Sequence, residues 1–413
     1  MPGLAPANAD LKSGPDNTGD RANADPDLPR IWIRPYYASF NGLRGVAVFM
    51  VFLNHYGWFW SAERVTGWLW IGVDLFFVLS GFLITGILYD SLEERRYFRN
   101  FYIRRALRIF PVFYGFFLLL FLLTPVFHFH YDKWLLAFVF YFGNFVVPFA
   151  DLVRHNPTVI SVFHHGRSIE IGNIGPLWSL CVEEQFYLIW PAVVWLVRDR
   201  KHLMRLCVIV SIATLIGRCI LLWAGLNRPY LLYWSIYTRC DTLLIGAWCA
   251  LWLRGTPLSL KQLRRRSSYL FLASASALIL ALAWLHQGYV VPRFGYTLIA
   301  LCSAAVLLQG LDDTSFISRV FRLRPVTALG VISYGFYFFH GIPGKPWHSL
   351  ALDRPELKPV IPIAAFVATF VVAKLSFRYW ETPFLRLKKV LAPQETGHAH
   401  AVRLHVPEPQ PET

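Results

Sequence analysis

Hydrophobic residues along the chain gather into blocks of about twenty, separated by short basic or polar stretches. Apolar segments run over residues 42–60, 68–89, 108–126, 134–150, 176–197, 203–225, 231–253, 269–286, 294–311, 326–342 and 359–379. They lack the alternation of strands. In lipid each backbone polar group must find its partner within the protein, so blocks of this length predict helices. The expected fold class is all-α, a polytopic membrane helix bundle.

Lys and Arg cluster at 91–108, 198–205, 254–266, 319–324 and 386–389, and the positive-inside rule puts these five clusters in the cytoplasm. Segment 108–126 then leads outward, and the chain must be inside again by Arg198, so only one of 134–150 and 176–197 can be a full crossing. Segment 134–150 is short and broken by Gly143, Asn144 and Pro148, which predicts a re-entrant or partial element. The count is about ten transmembrane helices, with both termini cytoplasmic and the polar stretch 151–175 outside.

Composition agrees with this reading: 55% of residues are hydrophobic and 16% charged. The formal charge of +15 does not point to nucleic acid, because the cations sit at the ends of the apolar blocks. The six cysteines fall inside those blocks and have no disulfide or zinc-site spacing. Residues 1–34 and 391–413 read as disordered cytoplasmic tails flanking a membrane domain at 35–390. No metal centre is expected, the tail residues His398, His400 and His405 counting only as adventitious ligands.

Ionisable side chains inside a span cost about 2.5–3.5 kcal/mol on insertion scales and default to a functional hypothesis. Arg44 sits at the cytoplasmic mouth of the first span and His55 about 16 Å further along the same face. Asp74 falls about 9 Å below the outer end of the second span, Glu183 and Glu184 about 10 Å below that of 176–197, and Arg239 and Asp241 about 12–15 Å below that of 231–253. With His340, these groups are expected at one level in the outer half of the bilayer, lining a wet cavity. Arg239 and Asp241 can instead simply fix helix packing, and His340 can be a packing histidine. Glu183 and Glu184 point about 100° apart, so one of them faces the cavity squarely at most.

Such a set suits acyl transfer. A neutral histidine, His55, takes the proton of an attacking hydroxyl. Asp74 or one of Glu183 and Glu184 orients the ring through its other nitrogen, and arginines stabilise the developing oxyanion. Arg104, Arg105 and Arg108 can hold donor phosphates, or anchor the chain to anionic lipid. The His348–Asp353 spacing looks like a glycerolipid acyltransferase motif, but it stands alone in a short outer loop and is taken as accidental.

Seven stretches in order resemble the acyltransferase 3 family of membrane O-acyltransferases over residues 36–386. They are Asn41-Gly42-Leu43-Arg44-Gly45 followed by His55; Gly72-Val73-Asp74 through Ser80-Gly81; and Arg104-Arg105-Ala106-Leu107-Arg108 with Pro111. Trp178-Ser179 through Glu183-Glu184-Gln185-Phe186-Tyr187 follows, then Arg239-Cys240-Asp241 with Gly246, Ser333-Tyr334 through Tyr337 and His340, and Glu381-Thr382-Pro383. The aspartate that opens the family's first motif is Asn41 here.

The resemblance implies a ten-helix acyltransferase domain, acyl-CoA as donor substrate with no bound cofactor, and a functional pair at Arg44 and His55. It further implies a sugar, glycan or macrolide hydroxyl as acceptor, and the bacterial inner membrane as location. Trp178, Ser179, Arg239, Asp241, Tyr334 and His340 become candidates for binding substrate or acyl-CoA. The short tail after the last span argues against transfer to a fused partner domain. The competing class is a proton-coupled or acyl-group transporter using the same charged cavity, against which the halves show no internal repeat.

Overall fold

A computed structural model of the chain describes residues 37–150, 158–164, 167–256, 258–284 and 290–393. The expected N-terminal tail and nearly all of the C-terminal one lie outside these residues. The chain runs through α1 (Ala38–Tyr56), α2 (Glu63–Thr66), α3 (Ile71–Asp90), α4 (Tyr97–Phe127), α5 (Leu135–Val139), α6 (Gly143–Ala150), α7 (Trp178–Val197), α8 (Arg200–Trp223) and α9 (Pro229–Trp234). It continues with α10 (Ile236–Leu253), α11 (Leu260–Trp284), α12 (Tyr296–Gly310), α13 (Phe316–Phe321), α14 (Arg324–Val331), α15 (Ser333–His340), α16 (Gly344–Asp353), α17 (Ile361–Leu375) and α18 (Thr382–Leu391).

Seven helical stretches among the described residues are long and apolar enough to cross a membrane: Glu63–Asp90, Tyr97–Phe127, Gly175–Val197, Arg200–Trp223, Leu260–Trp284, Val291–Gly310 and Ile361–Leu391. Their outward faces are apolar. Leu118, Leu119 and Leu122 on α4, and Ile209, Ile212 and Ile216 on α8, are exposed. Water would penalise such surfaces and hydrocarbon does not, so the bundle belongs in a bilayer.

Lipid offers helices little hydrophobic drive to associate, so close backbone contact has to hold them together. A Cβ on Gly81 of α3 would run into the Leu243 carbonyl of α10, and one on Gly246 into that of Val78. Gly42 of α1 abuts the Phe321 carbonyl, and Gly330 of α14 that of Asn41. The glycines of the sequence motifs are therefore contact points between helices.

Two expected spans are interrupted, and the segment expected to be re-entrant or partial is in pieces. Segment 134–150 is two short helices, α5 and α6, of five and eight residues. Segment 231–253 is broken at Ser235 and 326–342 at Ile332, the residues that separate α9 from α10 and α14 from α15.

The polar stretch read as a loop contributes most of a three-stranded antiparallel sheet in the order β1 (Phe129–Tyr131), β2 (Val159–His164), β3 (Arg167–Asn173). Phe129 pairs with Val162, and Val159 with Asn173. The sheet is tied to the α15–α16 region by Glu170–Lys345 at 2.7 Å and by the Asn173 amide, which donates to the Ile342 carbonyl at 3.1 Å.

Candidate active site

The C-terminal half of α1 buries Val48, Val51 and Phe52 on one side and leaves His55 exposed on the other. His55 opens into a cavity of about 680 Å³, also lined by His340, Trp178, Tyr233, Trp234 and Tyr337. The rings of His55 and His340 lie 5.0 Å apart, centroid to centroid, at 63°.

His340 is fully buried, with Nδ1 2.5 Å from the Tyr337 carbonyl. A carbonyl only accepts, so Nδ1 carries the proton and Nε2 is a free base. That Nε2 has no hydrogen-bond partner. The Tyr56 hydroxyl donates to the His340 carbonyl at 2.8 Å, locking the end of α1 to α15.

Trp178 stands at the start of α7, parallel to Trp234 at 5.8 Å and edge-on to Phe77 at 5.9 Å. The Tyr337 hydroxyl donates to the Pro176 carbonyl at 2.9 Å, so Ser179 Oγ donates to it at 2.6 Å. These bonds hold the cavity floor between α7 and α15.

Asp74, one of the carboxylates expected to partner His55, is engaged elsewhere. Asp74 Oδ1 accepts from Arg239 at 2.7 Å, and both side chains are fully buried. Arg239 also lies over the Tyr296 ring at 4.2 Å and the Tyr233 ring at 5.0 Å. Asp241 does not pair with Arg239. It accepts from Arg218 at 2.9 Å and from the Thr297 hydroxyl at 2.6 Å. Arg218 further donates to Thr297 and, at 2.6 Å, to the Thr238 carbonyl. These two ion pairs stitch α3, α8, α10 and α12 together. Tyr233 is where they meet the cavity, since it both lines the cavity and packs on Arg239.

Glu183 and Glu184 form a third group. Glu183 interacts with Ser80, Tyr187, Arg44 and Arg105, and Glu184 with Glu183 and Arg105. Ser80 and Tyr187 share a short hydrogen bond between α3 and α7. The single charged level expected from the sequence is thus corrected to three groups: His55 with His340, the two buried ion pairs, and the glutamates with the arginines. The reason lies in α7. Its first residue, Trp178, lines the cavity, and five or six more residues of helix carry the glutamates about 8 Å away from it along α7.

At the Arg44 end of α1 lies a dense basic group. Arg44 is within electrostatic range of Arg105 and Arg108, and its Nη1 donates to Asn41 at 3.4 Å. Arg105 packs over Tyr187 at 5.7 Å, and Arg108 over Tyr334 at 6.0 Å with Glu381 4.0 Å away. The Tyr334 hydroxyl donates to the Ile109 carbonyl at 2.9 Å. Arg104 donates twice to the Ala392 carbonyl, at 3.1 and 3.0 Å.

Sequence reasoning assigned no role to several residues that matter here. Arg218 is a charge inside an apolar block and was open to the same argument as Arg239. Gln185 bonds to Asn144 at 3.2 and 2.8 Å and to the Tyr141 carbonyl at 2.7 Å, fastening α6 and the turn before it to α7. His348 lines the cavity beside Trp58, with rings 4.8 Å apart, while Asp353 is exposed.

Residues 37–377 match the family model described as an acyltransferase domain. The peptidoglycan O-acetyltransferase OatA of Listeria monocytogenes is 31% identical over 372 residues, covering 85% of this chain and 56% of that protein. The O-acetyltransferase OatA of Staphylococcus aureus is 25% identical over 373 residues, covering 86% and 58% respectively. The chain therefore spans a little over half the length of these relatives. No solved structure matches it.

Proposed function

The chain belongs to the acyltransferase 3 family, and from that premise we propose that it is an integral-membrane O-acetyltransferase that moves an acetyl group from acyl-CoA to a hydroxyl of a cell-envelope glycan. The observation that carries the reading is the layout of α1. This one helix presents Arg44 to a basic group at one end and His55 to an aromatic cavity at the other. Eleven residues of helix separate them by about 16 Å, a span for a pantetheine arm.

In this reading the long apolar helices, together with α1, α10 and the broken pair α14–α15, make ten crossings of the bacterial cytoplasmic membrane. Both termini are cytoplasmic, the Arg44 end faces the cytoplasm and the cavity faces out. The arginines bind the donor phosphates, Arg44 orients the donor, and the thioester reaches the cavity. The acceptor hydroxyl attacks the thioester carbonyl while His55 takes its proton. The carbon–sulfur bond then breaks, and the protonated histidine returns the proton to the departing CoA thiolate. His340 backs His55 as a positioning residue, with a backbone carbonyl holding its tautomer where other sites use a carboxylate. Asp74, Arg239 and Asp241 support the wall through Tyr233 and touch no reacting atom. Trp178 and its aromatic neighbours offer flat faces for a sugar.

The names of the relatives favour a glycan acceptor and lend nothing to a macrolide. Nothing reported among them favours a transporter. The test is release of CoA from labelled acetyl-CoA by the purified chain in the presence of glycan fragments, with label appearing in the glycan. Acetyl-CoA consumption that survives His55→Ala removes His55 from the chemistry. Movement of label across the membrane without any ester product favours transport.

A further inference from the structure

Helix α18 lies beyond the residues that the family model matches. It is held against α4 by a set of bonds that leave it little freedom. Arg104 takes the Ala392 carbonyl just past its C-terminus, Arg108 reaches Glu381 just before its start, and the Trp380 indole donates to the Pro111 carbonyl at 2.7 Å.

Burial along α18 follows a helical stripe. Glu381, Leu385 and Ala392 are buried, and Lys388 is half-buried on the same stripe, whereas Arg386, Leu387 and Lys389 are exposed. A lysine set only to touch lipid headgroups or water belongs on the exposed face, where Arg386 and Lys389 already are. Lys388 is turned inward instead. The cations that act on it most strongly are Arg108, Arg105 and Arg104, with Glu381 the acid among them. Glu381 offsets only one of those charges, and packing a fourth cation into that company costs free energy unless a further anion joins them.

We propose that Lys388 is a ligand for a phosphate of the donor nucleotide, completing the arginine group of α4 from a helix outside the matched family domain. The assignment rests on the acyl-CoA reading given above. Arginine forks grip a phosphate bidentately and lysine adds a movable point charge, so the two kinds of cation are complementary here.

The full chain is reconstituted in phosphatidylcholine nanodiscs, and calorimetry measures its affinity for CoA and for pantetheine, which lacks the nucleotide phosphates. Lys388→Ala is expected to weaken CoA about tenfold and to leave pantetheine unchanged. Lys388→Arg is expected to restore most of the affinity, and Arg386→Ala on the exposed face to behave as the parent. If the parent chain does not bind CoA, the donor reading itself falls and this assignment with it. Should the parent bind CoA and Lys388→Ala match it, Lys388 is not a phosphate ligand and the donor reading stands. A loss seen equally for pantetheine assigns the effect to a displaced helix and overturns the proposal. So does a loss that appears only when phosphatidylglycerol is added to the discs, since the lysine then serves a lipid headgroup.

Discussion

His55 and His340 share a cavity wall but are held differently. His340 is fixed on both sides, by the Tyr337 carbonyl on its ring and by Tyr56 on its own carbonyl, while His55 is open to the cavity. Replacing His55 by Ala is expected to lower kcat about 100-fold or more while leaving CoA binding intact, checked by turnover and calorimetry on one preparation. Asp74 should behave in the opposite sense. Asp74→Ala strands Arg239 as an unpaired buried cation and is expected to cost about 3–5 kcal/mol of stability, read as a fall in melting temperature. The double variant Asp74→Ala/Arg239→Met should recover much of that loss. A full loss of activity with unchanged melting would return Asp74 to the chemistry. The sequence revealed which residues are charged inside apolar blocks, because charge in lipid needs a reason. It could not reveal the pairings, since Asp74 and Arg239 are 165 positions apart and their depths were read from block edges.

The apolar blocks and their helical nature were legible because hydrophobic length is a coarse signal that survives local detail. The breaks at Ser235 and Ile332 were not, since neither residue is a strong helix breaker and packing decides the kink. The sheet was missed because strands of three to seven residues, Val159–His164 among them, are far shorter than the apolar blocks on which the reading was built. The motif glycines, by contrast, gain a physical meaning from the α3–α10 contact. Gly81→Leu or Gly246→Leu is expected to destabilise the chain by at least about 2 kcal/mol through overpacking. Gly217→Ala on α8, with nothing within 4 Å of the new Cβ, should be neutral or stabilising by up to about 1 kcal/mol. Thermal melts of the three variants in one detergent would check this, and equal melting of all three would refute the close-contact account.

At the scale of the whole molecule, the proposed ten-crossing topology can be tested at the two ends of α8. A cysteine replacing Leu226, exposed just past α8, should react with a membrane-impermeant maleimide on intact cells. One replacing Asp199, the residue that caps the start of α8, should react only after lysis. The reverse pattern would invert the orientation. The buried ion pairs also bear on how the protein is made. Ribosomes deliver α3 long before α10, so Asp74 enters the bilayer before the arginine that neutralises it exists. The nascent chain therefore needs a sheltered waiting place, at the insertion machinery or as a protonated acid, until Arg239 emerges. A chain truncated before residue 236 is expected to be left with that burden and cleared by membrane quality control.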